Sequence, residues 1–297
     1  MPALVLLAGL LLAGAVRADA LRVTAVLDGD TLELEDGRQV RLAGIEAAKP
    51  PRGADPRDGR VWPLAEAARA MLAQLALGRP VVVHGPAPTD RHGRLLAHLV
   101  RDDGLWLQSA LVARGLARVH TRPDASAYAA ELLAEETAAR DAGRGLWRSR
   151  VYALRDAGDP AGLARDRDSF QVVEGVVLRV SKGRGESYLD FGEDWRSDVT
   201  VHIGRAAMRD LVRAGIDPLS YEGRRVRVRG WILLRNGPMI EITHPAQIER
   251  LEREPPPAAG PSPWPGPAAG PAADADGEDA DPGDELRDGD ATEDPDG

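Results

Sequence analysis

Apolar and polar residues alternate with a period of two along residues 21–46, LRVTAVLDGDTLELEDGRQVRLAGIE, on both sides of Asp36-Gly37. That period marks strands with one buried face, and Asp-Gly between two such runs predicts a two-residue type I′ hairpin. Such a turn pairs Glu35 with Arg38. Asp30 then faces Ala43, and Arg41 lies two residues along on the same face. Beyond it the period changes. WPLAEAARAMLAQLALG (62–78) has helical spacing and ends at a glycine suited to a helix terminus. RPVVVHGPAPTDRHGRLLAHLVRDDG (79–104) reads as strand, turn and strand, and LWLQSALVARG (105–115) as a short helix. SAYAAELLAEETAARDAG (126–143) predicts a third helix, with Asp124 or Ser126 as candidate N-cap.

A second patterned block begins near residue 169. FQVVEGVVLRVSKG, ESYLDFG and DVTVHIG predict three strands, AAMRDLVRAG a helix, and RRVRVRGWILLRNGPMIEITH a hairpin turning at Asn236-Gly237. Three strands, a helix and two strands is the element order of an OB-type barrel, and the first block opens in the same order with more helix added. The expected fold class is therefore mainly β with α (α+β), with a second OB-like β-barrel after the first unit. The expected organisation is an N-terminal segment 1–20, a first domain 21–150, a polar linker 151–168, a barrel 169–252 and a tail 253–297.

Composition changes this picture at the ends. Residues 3–16 are an apolar run of 14 followed by Ala18-Asp19-Ala20, the form of a secretory signal peptide cut after Ala20, although Lys and Arg are missing ahead of the run. The chain is accordingly expected to be exported, periplasmic or secreted, with no transmembrane segment after signal removal. Residues 255–297 hold ten Pro, seven Gly and 12 acidic residues against one Arg, a composition that buries no core and predicts a disordered acidic tail. The formal charge of −9 is thus a property of the tail, since the remaining residues carry 37 basic and 35 acidic side chains. The chain has no Cys, which excludes disulfides, thiolate zinc sites, iron–sulfur clusters and thiol catalysis.

The candidate chemistry lies in the first block, at Asp28-Gly29-Asp30-Thr31, Arg41, Glu46 and the turn Asp90-Arg91-His92-Gly93-Arg94. Asp30 and Glu46 suit a hard cation such as Ca²⁺ or Mg²⁺, and Arg41 and Arg94 suit phosphate through bidentate bonding. A plain turn with surface ion pairs accounts for the same residues. Basic stretches at 38–60 and 79–101 fit a polyanionic ligand.

VLDGDTLELEDGRQVRLAGIE, DRHGRLLAHL, LVARGLARVH and ETAARDAGRGLWRS, in this order and spacing over about residues 22–149, resemble the staphylococcal nuclease (thermonuclease-like) family. The resemblance implies a five-stranded OB-type barrel with three helices. It also implies Ca²⁺-dependent hydrolysis of phosphodiester bonds in DNA and RNA, with Mg²⁺ or Mn²⁺ as alternatives and single-stranded nucleic acid as the preferred partner. Asp30 and Glu46 fall at metal-ligand positions, with the Ala47 carbonyl beside them. Arg41 and Arg94 fall at the phosphate-binding, catalytic arginines, and Arg91 and His92 flank Arg94 where Lys and Tyr are common.

One departure stands at the chemistry itself. Lys49 occupies the place of the Glu that activates water, and a charged Lys neither accepts a proton nor favours a neighbouring cation. Three readings stay open. The base is lost and the protein is a weakened nuclease or a binding module. Alternatively Asp55 or Asp58 supplies the carboxylate, or Lys49 is neutral at the site.

The six His residues read as structural or solvent-facing, with His92 and His120 the two that could join a site. Tyr128, Leu132 and Leu133 read as core. In the second block Tyr188, Phe191, Trp195 and Trp231 could form a base-stacking platform or simply fill a small barrel. Its 14 basic and 13 acidic residues between 170 and 254 argue against strong independent affinity for nucleic acid. Protein partners of this block and of the tail are not specified by any motif, and an envelope interaction protein that uses both for protein contacts is a further alternative.

Overall fold

The computed structural model describes residues 20–49 and 62–251. The apolar N-terminal run, Asp55 and Asp58, and the acidic tail lie outside the described residues. The first unit is a closed five-stranded barrel in the order β1-β2-β3-β6-β5, built from β1 (Leu21–Asp28), β2 (Thr31–Leu34), β3 (Gln39–Leu42), β5 (Pro80–His84) and β6 (Leu95–Arg101). Every neighbouring pair is antiparallel except β3 with β6. Three helices, α1 (Ala65–Ala76), α2 (Leu107–Ala113) and α3 (Ala129–Asp141), and a two-stranded sheet of β4 (Ile45–Ala47) with β7 (Ala117–Val119) complete it. The core gathers Leu32, Leu42, Leu72, Leu99 and Leu111, all buried from water. Each such leucine contributes ~2 kcal/mol through its buried apolar area.

Two local expectations are corrected. The first hairpin pairs Thr31 with Arg41, Leu32 with Val40 and Glu33 with Gln39, one residue off the two-residue-turn register. Gly37, at φ 81°, closes a three-residue loop instead: its N–H donates to the Leu34 carbonyl, and the Leu34 N–H donates to that of Arg38. Helix α3 starts after Tyr128, a left-handed residue at φ 59°, without a side-chain cap from Asp124 or Ser126.

The second unit is a curled sheet in the order β10-β11-β12-β14-β13-β9. Its strands are β9 (Phe170–Val176), β10 (Arg179–Lys182), β11 (Ser187–Asp190), β12 (Thr200–Ile203), β13 (Arg225–Leu234) and β14 (Pro238–Ile242), with α5 (Arg205–Arg213) between β12 and β13. Here too the third and fifth runs, β12 and β14, are parallel. The short β15 (Ile248–Arg250) also pairs with β13. Residues 151–168, expected as a polar linker, are ordered: β8 (Arg155–Asp156) pairs with β9, and α4 (Pro160–Arg165) buries Leu163. Asp159 caps α4 through the Gly162 N–H, and Pro160 occupies the first turn.

Buried charges join the units. Arg229 of β13 and Glu136 of α3 are both inaccessible to solvent and pair at 2.6 Å. Glu136 also accepts the Val119 N–H at 2.7 Å, and Arg229 also pairs with Glu249. Within the first unit, backbone meets backbone where α2 ends. The Leu146 N–H donates to the Gly115 carbonyl at 2.7 Å. A Cβ on Gly115 would stand 2.2 Å from the Arg144 carbonyl oxygen, and one on Gly145 would stand 2.3 Å from that of Gly115.

Candidate active site

The site forms where the turn after β1 meets β3 and β4. The Asp28 carboxylate accepts the Asp30 N–H at 2.9 Å and so shapes the turn that turns Asp30 inward. Arg41 comes from β3 opposite Thr31, Glu46 from the middle of β4, and Lys49 from just beyond it. These elements bring Asp30, Arg41, Glu46 and Lys49 into one cluster. Asp30 Oδ1 pairs with Arg41 Nη1 at 2.5 Å and Glu46 Oε2 with Arg41 Nη2 at 2.6 Å. Lys49 Nζ stands between the carboxylates, 3.0 and 3.1 Å from the two Asp30 oxygens and 3.2 Å from Glu46 Oε1. The Ala47 N–H donates to Asp30 Oδ2 at 2.8 Å. His120, just after β7, adds Nδ1 at 3.4 Å from Glu46 Oε2.

Burial sets the electrostatics. It pushes the Asp30 carboxyl up to about 6 against the pull of Arg41 and Lys49. For Glu46 burial acts in the same direction, but Arg41, the His120 hydrogen bond and Lys49 outweigh it and hold the carboxyl well below its ordinary range. Burial likewise opposes the charge on Arg41, which Asp30 and Glu46 hold above its ordinary value. Asp28 is kept below its usual range although burial opposes this, chiefly by the Lys49 charge. Charge-assisted bonds of these lengths are the strong class of hydrogen bond, and each ion here depends on its partners.

The second arginine is held apart from this network. Arg94 is gripped by Asp90 of its own turn through Nε at 2.9 Å and Nη2 at 2.8 Å. Burial would raise the Asp90 carboxyl, but the Arg94 and His92 backbone N–H groups and the Arg94 guanidinium hold it down to about 2. Parallel pairing of Val40 with Leu95 places the turn next to the start of β3, with Arg41 on β3 and Arg94 just before the adjacent β6. Arg91 and His92 lie exposed on the same turn and touch each other at 3.2 Å.

A divalent cation does not fit this donor set as it stands. Ca²⁺ takes 6–8 oxygens at about 2.3–2.6 Å. All four carboxylate oxygens of Asp30 and Glu46 already face a nitrogen of Arg41, Lys49, His120 or Ala47. Ala47 meets the Asp30 carboxylate with its N–H. Among the described residues no group of three or more His, Cys, Asp or Glu side chains is arranged to hold a metal ion.

Sequence reasoning missed the far wall of the site. A narrow cleft, open to solvent, runs from Glu46 and Lys49 to Arg118, Tyr152, Phe170 and Trp231. The second unit thus reaches the cluster directly, and the Phe170 ring packs on His120 at 4.7 Å. Arg118 lies between the Tyr152 and Phe170 rings and donates to the Phe170 carbonyl at 2.6 Å. Burial pulls its pKa down to about 10, which leaves it a cation at neutral pH. It follows Gly-Leu-Ala on β7 and pairs with Glu46 of β4. The four aromatics of the second block do not converge. Trp231 lines this cleft, while Tyr188 and Trp195 border a separate one with Arg179 and Arg235, and Phe191 packs against the second core.

A closed barrel with a polar cluster of carboxylates and arginines at the end of its first three strands defines a nuclease-type domain. The model of the family described as "Staphylococcal nuclease homologue" matches residues 39–149. A protein of Escherichia coli O157:H7 described as "Uncharacterized endonuclease" is 34% identical over 129 residues, covering 42% of this chain and 75% of the relative. An Escherichia coli protein of the same description matches over the same share. The chain belongs to the staphylococcal nuclease family. Nucleases of this family are generally Ca²⁺-dependent, and a nuclease domain implies nucleic-acid binding. Among the described residues no helix is long and apolar enough to cross a membrane.

Proposed function

We propose that this protein binds the phosphodiester backbone of DNA or RNA, single strands above all, and hydrolyses it slowly. The observation that carries this reading is Lys49. An ammonium hydrogen-bonded to two carboxylates accepts no proton from water, so the step that a general base accelerates by about 10²–10⁴ is unaided at this position. Arg41 and Arg94 remain the groups that meet phosphate. Each is held by a carboxylate of the chain, so a phosphate oxygen binds by exchanging with Asp30, Glu46 or Asp90. Such exchange favours an extended, multiply charged strand over a single phosphate, because several contacts share the cost. Asp30, Glu46 and the Ala47 carbonyl form a Ca²⁺ site only if Lys49 withdraws.

The apolar run 3–16 and Ala18-Asp19-Ala20 support an exported, periplasmic or secreted protein. The strand order of the curled sheet supports an OB-like accessory barrel, with 21–150 and 169–252 as the two domains. A second reading, a module that binds nucleic acid and never cleaves it, is favoured by the same Lys49 contacts.

The full chain incubated with labelled single-stranded DNA, single-stranded RNA and duplex DNA, with Ca²⁺ or with chelator, tests the reading. Binding is expected in every single-stranded arm, with cleavage that is slow beside Lys49→Glu. Fast Ca²⁺-dependent cleavage by the unaltered protein would overturn the slow-hydrolysis reading. Absence of binding in every arm would overturn the whole.

A further inference from the structure

We infer that the Lys49 ammonium is the resident cation of this site, so that the cluster is complete without Ca²⁺ and excludes it. The inference rests on the family reading of the site and not on turnover. Lys49 Nζ is close to equidistant from both Asp30 oxygens and Glu46 Oε1, at 3.0, 3.1 and 3.2 Å. A cation bridging two carboxylates would take that same position. The remaining lone pairs are directed elsewhere: Asp30 Oδ1 to Arg41 and Thr31, Oδ2 to the Ala47 N–H, and Glu46 Oε2 to Arg41 and His120.

Charge gives the same answer. Among the described residues Asp28, Asp30 and Glu46 are the acidic groups that face the cluster, and Arg41 and Lys49 the permanent cations. With Lys49 seated, two of these three carboxylate charges are balanced. A doubly charged ion brought beside Nζ would meet repulsion in a buried setting while gaining few free oxygens. For Ca²⁺ to enter, Lys49 must leave by the cleft, giving up contacts to both carboxylates. The ammonium is tethered to the chain, so it is present at every Ca²⁺ concentration. The positive charge that draws a phosphate to this end of the barrel is therefore independent of metal supply, and it is one unit instead of two.

Calorimetric titration of the full chain with Ca²⁺ alone, together with thermal melting over a Ca²⁺ series, tests the inference without reference to activity. Wild type is expected to give no binding heat and no shift of Tm at millimolar Ca²⁺. Lys49→Glu replaces the cation by a third nearby carboxylate and is expected to gain Ca²⁺ binding, with Tm rising by about 2–8 °C at ten-fold excess over Kd. Lys49→Gln keeps a polar side chain and is expected to gain weaker binding. Ca²⁺ binding by wild type as tight as by Lys49→Glu would overturn the inference, and that wild-type titration decides it even if both variants fold poorly. Binding of single-stranded DNA is measured in parallel. Binding that survives chelator supports the inference, and binding that requires Ca²⁺ overturns it. A wild type that binds neither DNA nor Ca²⁺ would sink the proposed function while leaving the cation assignment standing.

Discussion

The two sheets of this chain follow one path and carry different chemistry. In both, a run of strands is followed by a helix and two more strands, and one strand before the helix runs parallel to the second strand after it: β3 with β6 in the first, where three barrel strands precede the helix, and β12 with β14 in the second, where four do. The first closes through β1 and β5, whereas in the second β9 and β10 follow each other in sequence and stand at opposite ends of the strand order. The first turns Asp30, Arg41, Glu46 and Lys49 into one buried network. The second leaves Lys182–Asp217 and His202–Glu186 on its surface or rim and sends its one wholly buried cation, Arg229, to the other unit. Strand order builds a scaffold, and a handful of side chains at one turn decide whether it bears a site.

The contact between the sheets gives the largest expected effect. Arg229→Ala leaves the buried Glu136 with Arg140 at 3.9 Å in place of a cation at 2.6 Å and should cost about 3 kcal/mol in urea unfolding. Both sheets should lose stability together, in one transition. Arg229→Met combined with Glu136→Gln should recover much of the loss, since it strands no ion. Two separate transitions in the unaltered protein would break the coupling.

Acid should then act through a buried histidine of the first sheet. His98 of β6, buried between Trp106 and Tyr128, is pulled by burial down to about 4 from its ordinary value of 6.5. Between those values the unfolded chain binds a proton that the folded chain refuses. The stabilisation is whole above about pH 7 and falls as pH drops from 6.5 toward 4, by about 3 kcal/mol at the end. Denaturant unfolding at pH 7, 5.5 and 4 reads this slope, and His98→Phe should flatten it. An unchanged slope in that variant would remove His98 as its source.

The smallest effect belongs to the second sheet's rim. Lys182 and Asp217 are both exposed, and Lys182→Ala should leave the melting midpoint where it was. A clear drop would mean that the rim, too, carries stability.

Periodicity made the strands and helices legible because it reports local burial. The hairpin spacing put Asp30 and Arg41 on one face with Glu46 close by in sequence, whereas Lys49 came into view only through the family resemblance. Hairpin register escaped periodicity, because Glu35-Asp36-Gly37 suits a three-residue loop as well as Asp36-Gly37 suits a two-residue one. The contact between the sheets escaped for a stronger reason. Arg225, Arg227 and Arg229 alternate with Val226 and Val228, the pattern of a strand with one wet face. Only the arrival of α3 on that face turns Arg229 into a buried ion. His120 and Arg118 join the site through β7 and the residues from Phe170 on, at separations that no local pattern encodes.

Gly115 and Gly145 show what a family likeness measures. Each leaves room for the other's backbone, so neither can acquire a side chain while its partner holds its place. A side chain at either would push the other's turn away, and the runs around them, ARGLARV and AGRGLWR, are held together by that mutual steric fit. These runs help to make the chain recognisable, and at the two glycines they do so through backbone packing. A likeness carried by such runs reports the scaffold, and it is silent on the chemistry at position 49.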